Sequence, residues 1–317
     1  MEFFKYRNKL PQIGDACLLT DGGLETTLIF HDGIDLPLFA SFHVLKEAEG
    51  RAALRRYYER YARIANAQGT GFILDSATWR ASRDWGDRLG YSAEELKHAN
   101  QDAVAMLFEL RAEFEGEHPF VISGNMGPRG DGYAPETMMS SAESEDYHAV
   151  QVATLDAAGV DMISAITMTH AGEAMGIARA CAKRDVPLVL AFTVETEGHL
   201  PTGQPLKDAI AELDADCPPA YYMINCAHPD HFRHVLEEGA DWTRRIRGLR
   251  ANASRLSHAE LDEAEELDDG KPQELGRDYA NRLSVLPNLR VFGGCCGTDH
   301  RHVDAIGQTC LHQPLRA

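Results

Sequence analysis

The stretch GGCCGT, residues 293–298, sets Cys295 and Cys296 side by side among glycines in a chain with seven cysteines. Adjacent residues of a strand point to opposite faces, so such a pair would ordinarily send one sulfur inward and the other outward. Glycine tolerates backbone angles closed to other residues, including φ > 0. Gly293, Gly294 and Gly297 are therefore expected to let both sulfurs turn the same way. A third cysteine, Cys226, closes the run AYYMINC at 220–226. Three thiolates with a fourth position open make a zinc site with an exchangeable ligand. The plainer reading is a tight turn that carries buried thiols.

The chemistry of such a site favours sulfur. A free thiol has a pKa of about 8.5 and is mostly protonated at neutral pH, whereas a metal-bound thiol is ionised outright. A thiolate held in this way can accept a methyl group from an onium donor. Water-activating zinc hydrolases more often use histidine and carboxylate ligands, because three thiolates leave the metal a weak Lewis acid. A zinc lyase or hydrolase on the same scaffold would need a base near the metal, and His228 is the evident candidate. A zinc- or thiol-sensing protein would close the metal with four protein ligands.

Bringing Cys226 to the Cys295–Cys296 pair requires a fold that gathers distant strand ends. Eight apolar runs alternate with helical patterns: 16–23, 71–76, 119–125, 160–167, 187–194, 220–226, 245–254 and 289–296. Continuous apolar strands imply burial on both faces, as in a parallel sheet. Eight such units in 317 residues predict a single-domain (β/α)8 TIM barrel over 1–317, with its core at about 18–306. A doubly wound open sheet is the alternative. In a barrel, the strand ends Asp21-Gly22-Gly23, Asn225-Cys226 and Cys295-Cys296 share one rim. There the Asp21 carboxylate could pair with an ammonium, and the glycine amides could approach an anion. A simple turn is the alternative for that tripeptide. The acidic segment 251–276 reads as a solvated loop after the seventh strand, with a short helix.

GGCCGT, INC (224–226) and DGGLETTL (21–28), in that order between about Leu18 and Ile306, resemble the zinc-dependent homocysteine S-methyltransferase family, which includes the betaine and S-methylmethionine enzymes. The resemblance implies a (β/α)8 barrel with Cys226, Cys295 and Cys296 as ligands of Zn2+. It also implies that Asp21 faces the substrate ammonium, with the Gly22 and Gly23 amides near its carboxylate. Asn225, in the INC motif, joins the expected substrate-binding residues. The implied reaction moves a methyl from a small onium donor (S-methylmethionine, betaine, S-adenosylmethionine or another sulfonium) to a thiol, homocysteine giving methionine. Another thiol acceptor is the alternative. Two positions depart from the family. Ile166 stands where betaine-type members carry a glutamate for the amino group, and the next acid is Glu173. Trp79 and Arg80 stand where those enzymes place aromatic residues near the transferring methyl. Trp79 could box an onium by cation–π contact and Arg80 could hold a carboxylate; a rim-packing Trp and a surface Arg are the alternatives.

The partners implied are a small-molecule thiol and a methyl donor. A net charge of −18 argues against nucleic acid. No apolar run approaches the roughly 20 residues of a membrane helix, and the amino terminus lacks a sustained apolar signal region. Scattered, odd-numbered cysteines fit a reducing compartment; together these predict a cytoplasmic protein, with a homo-oligomer left open. His228, His231 and His234 follow Cys226 and read mainly as a polar opening turn. The glycine-rich GNMGPRGDGY (124–133) lacks a phosphate-loop ending and reads as a lid or donor-pocket loop. Neither G-x-S-x-G nor HExxH occurs.

Overall fold

Each apolar run becomes one short parallel strand in the computed structural model, which describes residues 2–311 apart from 134, 136–137, 237–239 and 265. The strands are β1 (Leu18–Leu19), β2 (Gly71–Asp75), β3 (Phe120–Met126), β4 (Met162–Met168), β5 (Leu188–Phe192), β6 (Tyr221–Asn225), β7 (Ile246–Ala251) and β8 (Val291–Gly294). They close in sequence order into a barrel. The closing pair, Leu18 with Val291, removes the sheet edge that an open doubly wound fold would keep.

Helices α1 (Ala48–Ala67), α2 (Ala93–Phe114), α3 (Ser141–Ala157), α4 (Ala171–Ala182), α5 (Leu206–Asp216), α6 (Pro229–Phe232), α7 (Pro272–Arg282) and α8 (His300–Cys310) follow the strands in turn. Their starts are chemically marked. Ser92 and Ser140 cap α2 and α3 in reciprocal boxes with Glu95 and Glu143. Pro272 opens α7, where its missing N–H is no loss. Helix α1 begins at Ala48 because Glu47 is extended and separates it from a 3-10 segment at Ser41–Lys46. A short helix at Arg83–Arg88 was not legible in the sequence. The acidic excursion after β7 is a loop with one short helix, His258–Asp262.

Inside the barrel, side chains change character along each strand. Ile73, Val121, Met162, Val189, Tyr221, Met223 and Val291 fill the lower layers. Two residues further along come Asp75, Ser123 and Ser164, so the upper rim is polar while the lower core is dry. The bottom is closed by the amino-terminal segment. Leu10 packs into the barrel core, and buried Gln12 donates to the Tyr221 hydroxyl at 3.2 Å. Among the described residues, no helix is long and apolar enough to cross a membrane.

The bottom carries one buried ion pair. Arg111 Nη1 meets Asp161 Oδ2 at 2.7 Å, and Asp161 also accepts from the backbone N–H groups of Tyr6 and Ile122. Removing one partner strands a desolvated charge. Arg111→Leu is expected to lower unfolding free energy by about 3–5 kcal/mol in urea titration; a loss under about 1 kcal/mol would show that the pair holds nothing together.

Candidate active site and metal centre

Cys226 follows β6, and Cys295 and Cys296 follow β8, so all three sulfurs reach the same rim. Cys226 Sγ lies 2.8 Å from Cys295 Sγ and 3.6 Å from Cys296 Sγ. All three atoms fall within 4.8 Å of one another, the one such ligand cluster among the described residues. Thiolates on a tetrahedral metal with bonds of about 2.3 Å stand about 3.8 Å apart, so this donor set fits a soft divalent metal with small adjustments. Sulfur hydrogen bonds from Cys226 and Cys296, with help from Arg250, hold the Cys295 thiol well below the usual thiol range. The same bond to Cys295, with burial, pushes Cys226 well above it.

The local backbone explains how the sulfurs converge. Cys226 itself takes the left-handed conformation, φ 55°, as does Thr167 at φ 62°. Such non-glycine residues cost of order 1–2 kcal/mol each, and surrounding bonds must hold them. Asn225 is that holder: its Oδ1 accepts from the Thr167 N–H and its Nδ2 donates to Thr167 Oγ1, both at 2.8 Å. Its Nδ2 also reaches Cys295 Sγ at 3.8 Å. Asn225, expected among the substrate-binding residues, is fully buried, is not part of the cleft lining, and spends its amide on Thr167 and Cys295.

The glycines act differently from expectation too. Gly293 and Gly294 stay in β8 and are small for packing: a Cβ would fall 1.8 Å from Thr20 Oγ1 and 2.0 Å from Thr298 Oγ1. Only Gly297 of the three uses φ > 0. The turn after β8 is tied by Thr298, whose N–H and hydroxyl both donate to the Cys295 carbonyl.

A buried charge cluster lies beneath the sulfurs. Arg250, on β7, binds Asp21 Oδ1 through Nη2, Asp75 Oδ2 through Nη1 and the Gly294 carbonyl through Nε. Tyr57 OH donates to the other Asp21 oxygen at 3.0 Å. Burial raises the Asp21 carboxyl to about 7 against the pull of Arg250. Asp21, expected to face the substrate ammonium, therefore lines the cleft with each oxygen already holding one partner. The Gly23 N–H, expected near a substrate carboxylate, donates to the Thr298 carbonyl at 2.9 Å. The Gly22 carbonyl accepts from Tyr57 OH.

Two connected cavities flank the sulfurs. The inner cleft is lined by Asp21, Glu25, Asp75, Asn125, Ile166 and Arg250 beneath the three cysteines. The outer basin is the roomier and is bordered by Trp79, Arg80, Asp131, Tyr133, Glu266 and Asp268. Cys226, Cys296 and Trp79 border both. Trp79 Nε1 donates to the Ile166 carbonyl at 3.3 Å. Arg80 binds the Leu38 carbonyl, lies 3.4 Å from Asp131 and stacks 4.0 Å from the Trp85 ring. Glu173 cannot stand in for a glutamate at 166, since it is bound by His148 and the Arg129 N–H. His228 is also out of play: it lines a separate surface pocket, caps α6 and is lowered to about 4 by burial. His228 is therefore not placed to act as a base beside the three sulfurs.

Sequence reading overlooked four residues here. Arg250 and Asp75 each end an apolar strand with a charge, a signal that was available in GLRANAS and FILDS. Tyr133, at the end of the glycine-rich loop, sets its hydroxyl 3.4 Å from Cys226 Sγ and 3.3 Å from Cys296 Sγ. His258 stacks on Tyr133 with ring centres 4.1 Å apart, and bridges Glu195 to the Cys226 carbonyl. No spacing rule could bring the last two to Cys226. Arg250→Met, which leaves two buried carboxylates unpaired, is expected to cost about 3–5 kcal/mol in urea denaturation. Arg250→Lys should recover only part, since one ammonium cannot reproduce the guanidinium fork.

Residues 18–310 match the homocysteine S-methyltransferase family. Comparison with curated protein sequences gives no match. Among solved structures, the fold is shared with the oxidized form of the Escherichia coli homocysteine methyltransferase MmuM, at 21% identity, TM-score 0.73, and coverage of 95% of this chain and 98% of that one. Its metallated form aligns at 20% identity and TM-score 0.69, covering 93% and 96%. With the family matched over nearly the whole barrel and its cysteines gathered on one rim, this chain belongs to the homocysteine S-methyltransferase family and is an S-methyltransferase.

Proposed function

We propose that this enzyme transfers a methyl group from a small onium donor, S-methylmethionine, betaine or another sulfonium, to homocysteine, using zinc on Cys226, Cys295 and Cys296. The observation that carries this reading is the position of the three sulfurs between an inner cleft and an outer basin. Zinc bound there would keep an acceptor thiol ionised at neutral pH. The inner cleft is then the place for the acceptor and the outer basin the place for the donor. Trp79, bordering both, offers a ring face to an onium, and the acidic lining of Asp131, Glu266 and Asp268 favours a cation. The protein's own contribution is to align sulfur, methyl and leaving group in one line and to exclude water between them.

The test is a panel of onium donors with homocysteine and zinc-loaded protein, read by mass spectrometry for methionine. About one zinc per chain and methionine from at least one donor are expected. Cys226→Ser should lose zinc and at least about 100-fold in rate; full activity without metal would sink the proposal. Asn225→Ala, which frees the brace under Thr167 and Cys295, should weaken zinc by about 10–100-fold in chelator competition while Cys226 remains.

A further inference from the structure

We propose that Asp75 and Asn125 receive the ammonium group of the acceptor amino thiol, in place of an acid on β4. This rests on the reading of the chain as a thiol methyltransferase and names what its acceptor must carry.

The inner cleft is bordered by three carboxylates, Asp21, Glu25 and Asp75, against the single cation Arg250. Their spare capacity differs. Asp21 has one oxygen on Arg250 and the other on Tyr57. Glu25 accepts from the Ser41 hydroxyl at 2.8 Å. Asp75 gives Arg250 only Oδ2, and its Oδ1 is buried with no hydrogen-bond partner among the described residues. Asn125 Oδ1 is buried and unpartnered in the same way. The two side chains border the same cleft and are only 4% and 9% exposed.

An unsatisfied buried acceptor costs about 1–3 kcal/mol, more when charged, so two bordering one cleft call for a donor. The donor must come with the ligand. An ammonium supplies three N–H groups and the charge opposite to Asp75. A carboxylate would be repelled there, and a neutral group would bring no charge to offset the excess of carboxylates over Arg250.

The barrel register places the pair beside the substituted position. Asp75 stands opposite Ser123, so Asn125 is the next residue on that face of β3. Asn125 in turn stands opposite Ser164, and Ile166 is the next residue on that face of β4. The polar partners thus sit on β2 and β3, adjacent to an apolar Ile166 that suits the acceptor's methylene groups. The recognition group has moved around the rim and has not been lost.

The test compares homocysteine with its des-amino analogue, 4-sulfanylbutanoate. Binding to the zinc-loaded protein is measured by titration calorimetry, and kcat/KM is measured with one onium donor. The wild-type protein should prefer homocysteine by at least about 50-fold, as expected for a lost charge-assisted pair. Asp75→Asn and Asn125→Leu should each reduce that preference at least about tenfold. Asn125→Leu leaves the Arg250 cluster intact, so it reports even if Asp75→Asn folds poorly. Equal use of the two thiols by wild type, or an undiminished preference in Asn125→Leu, overturns the assignment. Loss of the preference in Glu25→Gln, with the other two variants retaining it, also overturns it and moves the site to Glu25. Selective binding of homocysteine with no methylated product from any donor would uphold the ammonium site and remove the transferase reading. Methylation of both thiols alike would do the reverse, and failure to bind either would remove both.

Discussion

One guanidinium holds the rim of this barrel together. Arg250, at the end of β7, joins Asp21 after β1, Asp75 at the end of β2 and the Gly294 carbonyl at the end of β8. Four strand ends are thereby linked by one buried group. A lone buried charge would be costly, but two carboxylates and a carbonyl satisfy this one. Because Gly294 directly precedes Cys295, the same linkage sets the height of the cysteine turn above the core. The polar rim exists at all because the lower barrel is packed dry, from Gln12 and Leu10 upward.

On that base the sulfurs are gathered by strain and by small size together. Cys226 occupies a left-handed conformation that only a braced residue keeps, and Asn225 provides the brace through Thr167. Across the rim, Gly293 and Gly294 admit Thr20 and Thr298 into space a side chain would fill, and Thr298 closes the turn. Tyr133 and His258 then cover the cluster from the loop side. Cys226 and Cys296 end as a shared wall between two cavities.

The departures from the family pattern take on physical meaning in this setting. Ile166 removes a carboxylate from β4, and Arg250 engages Asp21, so the two groups first expected to meet an ammonium are absent or occupied. Carboxylates still outnumber cations in the lining of the cleft, and the Asp75 and Asn125 oxygens that have no partner among the described residues lie two strands and one strand away from β4. The polar groups of the cleft are thus distributed among strands whose ends are linked.

The sequence by itself determined the barrel, since eight buried parallel strands read as eight apolar runs and their period needs no knowledge of neighbours. It also marked out Cys226, Cys295 and Cys296 as sulfurs that would share one rim, because adjacent thiols set among glycines are chemically unusual and Cys226 ends another strand. Asn225 and Gly23 were recognised by motif, but their hydrogen bonds to Thr167 and to the Thr298 carbonyl emerge from the fold alone, as do the contacts of Arg250, Tyr133 and His258. Which oxygen is satisfied, and by whom, depends on residues as distant in the chain as Asp21 and Arg250, or Gly23 and Thr298, meeting at one rim. A linear pattern records side-chain type and spacing, whereas a hydrogen-bond account closes only when every neighbour in space is known.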